Sequence, residues 1–144
     1  MEIKKIFIAG AGLMGSGIAQ VCAQAGVEVI LCDVGPEVLE KASKNIAWSA
    51  GKLIDKGKAA GPLEAVMGRI STTTEYGRAA EADLCLEAVF EKLEVKKEIF
   101  AKFDAVARPE ALLASNTSAI SISTLAAGTK RPEKVFGLHF FSPA

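Results

Sequence analysis

The sequence predicts an α/β domain built on a parallel, doubly wound sheet. Three observations lead to it. Six short runs read as strands, residues 3–9, 27–32, 70–73, 82–88, 111–115 and 135–140. Most are nearly continuous apolar stretches rather than alternating ones, as expected of strands covered by helices on both sheet faces. Helical patterns lie between most of the runs, the order of a parallel sheet with crossover helices. The first run also feeds straight into a glycine-rich bend, Gly10-Ala11-Gly12-Leu13-Met14-Gly15.

Taken in order, the first strand runs through Ile6-Phe7-Ile8-Ala9 into that bend, and a small-residue helix over 16–25 follows. Gly26 stops the helix. A second apolar run, Val27-Glu28-Val29-Ile30-Leu31-Cys32, then closes on Asp33. Residues 36–56 read as a long helix, with Pro36 suited to its first turn. Gly57-Lys58-Ala59-Ala60-Gly61-Pro62 breaks it, and 63–67 form a short second helix. Residues 36–69 are thus a helical hairpin inserted between the second and third strands. Trp48 is expected to pack that hairpin, and Lys56 to lie on its polar side. After the fourth strand, residues 93–106 carry one apolar stripe of Val95, Ile99, Phe103 and Val106, with Lys96, Lys97, Lys102 and Asp104 off it. The fifth strand runs into Ser115-Asn116-Thr117-Ser118, and the sixth into Gly137-Leu138-His139-Phe140-Phe141-Ser142-Pro143. There is no internal repeat, low-complexity tract or interdomain linker, so residues 1–144 read as one domain.

Composition narrows the function classes. Half of the 144 residues are hydrophobic, enough for a sizeable ordered core. Lys plus Arg and Asp plus Glu are both 17. That balance argues against nucleic acid or an anionic membrane as partner, since either calls for a basic excess. Lys4 and Lys5 before an apolar stretch imitate a secretory leader. Three glycines and Gln20 and Gln24 interrupt the stretch, and no run reaches membrane-spanning length. Cys22, Cys32 and Cys85 are odd in number, without a C-x-x-C pair, and sit in apolar contexts. They read as buried free thiols in a reducing cytoplasm, and no metal site is expected.

The bend carries the chemistry. G-x-G-x-x-G alone is a weak signal, because glycine turns are common. Between a strand and a helix, with an acidic residue closing the next strand, it is what a dinucleotide site needs. Gly10 allows the tight turn. Gly12 lets backbone N–H groups reach a pyrophosphate, and Gly15 lets the helix lie close on the strand. The helix N-terminus offers unpaired N–H groups and a partial positive charge. Asp33 can accept from both hydroxyls of an adenine ribose and repels a 2′-phosphate, so the cofactor reads as NAD rather than NADP. Gly10, Gly12, Leu13, Met14, Gly15 and Asp33, with Ala88 at a neighbouring strand end, form the expected cofactor-binding set.

Further polar residues fall where ligands bind in an open parallel sheet, beyond the strands' carboxyl ends. His139, the single histidine, suits proton transfer near neutral pH. A histidine packed between aromatics is the alternative. Ser118 suits a hydrogen bond to a substrate oxygen or to the nicotinamide ribose, and S-N-T-S is equally ordinary turn and cap chemistry. Asn116 shares both readings. Glu91 and Lys96, read from sequence alone, form a solvated ion pair at a helix start. Lys56 faces solvent or meets a phosphate.

Together these residues resemble the NAD-binding half of the 3-hydroxyacyl-CoA dehydrogenase family. The resemblance covers the entire chain. It rests on Gly10-Ala11-Gly12-Leu13-Met14-Gly15-Ser16-Gly17-Ile18-Ala19, Glu87-Ala88-Val89-Phe90-Glu91, Ala114-Ser115-Asn116-Thr117-Ser118 and Gly137-Leu138-His139-Phe140-Phe141. It implies that His139 is the catalytic base and that Ser118 touches both the substrate's 3-oxygen and the cofactor. It implies that Glu91 and Lys96 contact NAD on the ribose and nicotinamide side, in place of the solvated pair. Asn116 then lines the nicotinamide pocket, and Ser49 and Lys56 meet coenzyme A.

Ser142 stands where many members carry asparagine at the nicotinamide end. The family's histidine-orienting glutamate lies about a dozen residues beyond the histidine. Its helical second domain, which closes the acyl pocket and forms the homodimer, is also outside these residues. The implied function is NAD-dependent interconversion of (S)-3-hydroxyacyl-CoA and 3-oxoacyl-CoA, in β-oxidation or butanoate metabolism. The chain alone is expected to bind NAD weakly and to turn over little. Two other readings stand beside this one: a dehydrogenase of a free hydroxy or sugar acid, as in crystallin-like relatives, and a non-catalytic NAD-binding module.

Overall fold

The computed structural model describes residues 2–89, 92–116 and 122–138. A six-stranded sheet runs through them in the order β3-β2-β1-β4-β5-β6, every pair parallel. The strands are β1 (Lys5–Ala9), β2 (Glu28–Cys32), β3 (Ile70–Thr73), β4 (Leu84–Glu87), β5 (Leu112–Ser115) and β6 (Val135–Gly137). Between them lie α1 (Leu13–Gln24), the pair α2 (Pro36–Asp55) and α3 (Leu63–Gly68), α4 (Leu93–Val106) and α5 (Ile122–Ala127). Strand order reverses between β1 and β4. The crevice above that reversal is where an open parallel sheet binds ligands.

Alternation along β1 shows why most of the runs are nearly continuously apolar. Ile6 and Ile8 point to one face, with Ile18 of α1 and Leu39 and Ile46 of α2. Phe7 and Ala9 point to the other, with Ile99 and Phe103 of α4 and Leu125 of α5. Both faces are buried, so the positions of a central strand are apolar except where a buried polar group finds partners. On the second face Phe103 meets Phe7 edge-on, ring centroids 6.0 Å apart.

The hairpin insertion falls where the sequence places it, with Pro36 in the first turn of α2. Four expectations need correction. The first helix starts at Leu13 rather than residue 16, because Gly12 is its N-cap. Trp48 does not pack the hairpin: it is 67% exposed, and the Lys52 ammonium sits 4.3 Å from its ring centroid. Cys32 and Cys85 are buried free thiols, but Cys22 is only half-buried. The stripe on α4 is wider than apolar spacing suggests, for Phe100 and the whole of Lys96 are buried with Ile99 and Phe103. The sixth strand is described only through Leu138; residues 139 and 140 lie outside the described residues.

Candidate functional site

Three glycines shape the bend, each for a different reason. Gly10 has φ +111°, and a Cβ there would lie 2.6 Å from the Ala88 carbonyl oxygen. A Cβ on Gly15 would lie 1.7 Å from the carbonyl oxygen of Gly10, so the helix rests on the strand end with no room for a methyl group. Gly12 is the opposite case: nothing lies within 4 Å of its Cβ position, and the residue is exposed. Its missing side chain leaves space on the ligand side rather than the protein side. α1 begins there without a side-chain cap and without an acidic residue in its first turn. Its N-terminal N–H groups and partial positive charge are therefore unopposed, which suits a phosphate.

Asp33, at the carboxyl end of β2, stands against this bend. Its Oδ2 accepts the Ala11 N–H at 2.8 Å and its Oδ1 accepts the Val34 N–H at 2.7 Å. Gly10 N–H donates to the Cys32 carbonyl at 2.8 Å, and Ala88 N–H donates to Ala9 at 2.8 Å. The ends of β1, β2 and β4 are thereby locked in one plane around the bend. A cleft of about 550 Å³ opens above it, lined among others by Gly12, Met14, Asp33, Val34, Ala88 and Val89. Leu13 is 80% exposed and Val34 89% exposed at its rim. Open glycine space, a free helix N-terminus, a ribose-height carboxylate and apolar rims together fit an adenine dinucleotide. Tyr76 and Lys102 also line the cleft, the Lys102 ammonium 4.7 Å from the Tyr76 ring centroid. Burial raises the Tyr76 hydroxyl far above its usual range, and the neighbouring Cys32 and Asp33 add to that. Burial likewise pushes the Cys32 thiol up to about 11.

A second cleft, of about 520 Å³, lies on the other side of the bend between α1 and α2. Gly12, Leu13 and Ser16 line it from the bend, Lys41, Asn45 and Ser49 from α2. Ser49 Oγ accepts a hydrogen bond from Gln20 Nε2 at 3.1 Å. The structure brings Ser49 into this cleft. Lys56 caps the carboxyl end of α2, exposed and outside the cleft lining.

At the ends of β4 and β5 lies a fully buried ion pair. Glu87 Oε2 accepts from Lys96 Nζ at 2.5 Å, both side chains at 0% exposure. The same oxygen accepts the Val89 N–H at 2.7 Å, and Oε1 accepts the Ser115 hydroxyl at 2.5 Å. Lys96 is therefore not the solvated cation its spacing suggests. Asn116 follows Ser115, is half-buried, and donates its N–H to the Glu87 carbonyl at 2.8 Å. Glu91, Ser118, His139 and Ser142 lie outside the described residues. Sequence reading gave Glu87 no role. The available signal was a carboxylate ending an otherwise apolar strand, Leu84-Cys85-Leu86-Glu87, since such a group is buried only with a partner.

Comparison with known proteins agrees with this geometry. Residues 5–144 match the family model described as "3-hydroxyacyl-CoA dehydrogenase, NAD binding domain". A probable 3-hydroxybutyryl-CoA dehydrogenase of Bacillus subtilis is 42% identical over 144 residues, 99% of this chain and 50% of its own length. One of Deinococcus radiodurans is 42% identical over 139 residues, again 50% of its length. The crystal structure of a 3-hydroxybutyryl-CoA dehydrogenase from Escherichia coli superposes with a TM-score of 0.96 at 41% identity, covering 100% of this chain and 31% of that one. The chain spans about half the length of the curated relatives named here. A family match over nearly the whole chain, on a fold whose bend, carboxylate and cleft fit the cofactor, means that the chain belongs to the NAD-binding domain family of the 3-hydroxyacyl-CoA dehydrogenases.

Proposed function

We propose that residues 1–144 form the cofactor-binding half of an enzyme that oxidises (S)-3-hydroxyacyl-CoA to 3-oxoacyl-CoA with NAD+. The observation that carries the reading is the Asp33 carboxylate at 2.8 Å from the Ala11 N–H, lining the same cleft as the open Gly12 position. There it is placed to receive ribose hydroxyls while the bend receives the pyrophosphate. A 2′-phosphate at about 4 Å from this carboxylate meets repulsion of about 4 kcal/mol per unit charge at an effective dielectric of about 20. That repulsion disfavours NADPH.

Bound NAD+ supplies a hydride acceptor. The chain's own residues supply the rest. His139 accepts the proton of the substrate's 3-hydroxyl, for which an imidazole near neutrality is suited. Ser118 holds the same oxygen by a hydrogen bond, and Asn116, Glu91, Lys96 and Ser142 shape the nicotinamide side. Ser49 and Lys56 face coenzyme A from α2. The second cleft supports this for Ser49, and the exposed Lys56 ammonium suits a phosphate farther along the helix. With Gly12 lining both clefts, the α1–α2 cleft is open to coenzyme A on the side of the bend away from the dinucleotide, and the acyl group extends from there to the nicotinamide end. Substrate closure, a homodimer and a cytoplasmic setting belong to the same proposal. Among the described residues no helix is long and apolar enough to cross a membrane.

Titration calorimetry tests the cofactor. NADH uptake without NADPH uptake is expected, and no NADH uptake overturns the reading. A coupled assay of the intact enzyme with acetoacetyl-CoA against free acetoacetate tests the substrate class. Preference for the free acid favours a crystallin-like dehydrogenase instead. Unchanged function in His139→Ala favours a non-catalytic module.

A further inference from the structure

We propose that Glu87 is a positioning residue for the nicotinamide end of the site. It acts through Lys96 and Ser115 without touching the cofactor. The inference rests on the dinucleotide reading above and assigns a role to a carboxylate that reading leaves idle.

Four segments converge on this one side chain. It terminates β4. Its Oε2 takes the Val89 N–H, which folds residues 88 and 89 back over the strand end. The same oxygen holds the Lys96 ammonium from the first turns of α4, and Lys96 Nζ also donates to the Val89 carbonyl at 3.3 Å. Oε1 holds the Ser115 hydroxyl at the end of β5. The backbone continues the brace: Asn116 N–H donates to Glu87, and Leu138 N–H donates to the Ser115 carbonyl at 3.0 Å. Leu138 immediately precedes His139, and Asn116 stands two residues before Ser118. The chain positions assigned to nicotinamide and substrate thus leave from strand ends that this carboxylate ties together.

The brace is well matched chemically. A buried carboxylate needs its lone pairs satisfied, and here a backbone N–H, a hydroxyl and an ammonium do so at 0% exposure of both charges. Such a network has one arrangement. Loosening it lets the strand ends drift by the ångström that matters to a bound ring. The adenosine end shares Ala88 and Val89 with this brace as cleft walls, but the carboxylate that meets its ribose, Asp33, is held by the Ala11 and Val34 N–H groups and makes no hydrogen bond to Glu87. The two halves of the ligand should therefore respond differently when the brace is cut.

The experiment compares NADH with ADP-ribose, which lacks the nicotinamide ring. Glu87→Gln keeps shape and removes the charge. Ser115→Ala removes a single hydroxyl and serves if the first variant fails to fold. Affinities are read by fluorescence of bound NADH and by calorimetry for ADP-ribose. Expected for the folded variant is a loss of about tenfold in NADH affinity, the size of one disrupted buried hydrogen bond. Bound-nicotinamide fluorescence should fall with it, and ADP-ribose affinity should stay within about twofold. A merely structural role moves both ligands together or neither. Equal loss of the two, or loss of neither, overturns the inference. If the unmodified chain binds neither ligand, the dinucleotide reading fails, and the inference with it. If ADP-ribose binds and the split is absent, Glu87 alone loses its role.

Discussion

Gly12 and Gly15 belong to one motif, yet the structure separates their functions. At Gly12 a methyl group meets no protein atom within 4 Å, and φ is −74°, which alanine adopts freely. Alanine is a poorer N-cap than glycine by roughly 0.5–1 kcal/mol, and the less flexible unfolded chain returns about 0.4–1 kcal/mol. Gly12→Ala should therefore melt within about 3 °C of the parent. Its methyl group instead occupies the space given to the pyrophosphate. Loss of one N–H bond to a charged oxygen costs about 1.5–3 kcal/mol, so NADH affinity should fall roughly 10- to 100-fold.

At Gly15 the methyl group lands 1.7 Å from the Gly10 carbonyl oxygen, a backbone atom that cannot rotate away. The helix must lift off the strand end, at about 3 kcal/mol or more. The melting temperature should then drop by roughly 10 °C. Scanning fluorimetry and NADH titration on both variants distinguish the cases. Wild-type NADH affinity in Gly12→Ala, or equal melting losses in the two variants, would refute this division of labour.

Three further outcomes are expected. Arg131, 9% exposed, holds the Asp104 carboxylate and the carbonyls of Asp104, Ala107, Arg108 and Ala111 at the carboxyl end of α4. Arg131→Met should cost about 3–5 kcal/mol in urea unfolding while leaving NADH affinity of the folded protein unchanged, since it lies at the sheet's opposite end. Asp83 is held below the usual carboxylate range, first by the Lys4 backbone N–H and then by Arg108 and the Lys5 N–H. Its stabilisation is complete above the unfolded carboxylate's pKa, about 3.9, and is lost as pH falls through the lower folded value. Asp83→Asn should therefore melt lower by a few degrees at pH 7 and match the parent near pH 2; a gap independent of pH would contradict this. Burial pushes Cys32 up to about 11 and Cys85 up to about 12, while Cys22 is half-buried. A colorimetric thiol titration of the native protein at pH 8 should consume Cys22 well before the other two.

The sheet and the bend were legible because both depend on local rules. A strand covered on both faces is apolar except where a buried polar group is partnered, and a phosphate-binding turn needs glycine at fixed offsets. Asp33 was legible for the same reason, since it closes the strand beside the bend. Lys96 and Trp48 were misread because apolar periodicity assumes that charge means solvent and aromatic means core. Lys96 is buried because Glu87, nine residues back, neutralises it. Trp48 is exposed because the hairpin core closes with Ala50, Val66, Ile54 and Leu63 instead.

Sequence by itself determined the six strands, the hairpin insertion, the glycine bend and the acidic strand end, because each is written within a few consecutive residues. Only the tertiary structure decided that Asp33 grips Ala11, that two clefts share Gly12, and that Glu87 gathers Val89, Lys96 and Ser115. Asp33–Ala11 and Glu87–Ser115 join neighbouring strand ends 22 and 28 residues apart along the chain, and Glu87–Lys96 reaches from a strand end into the following helix. The energy of a buried charge depends on which partners the fold brings to it.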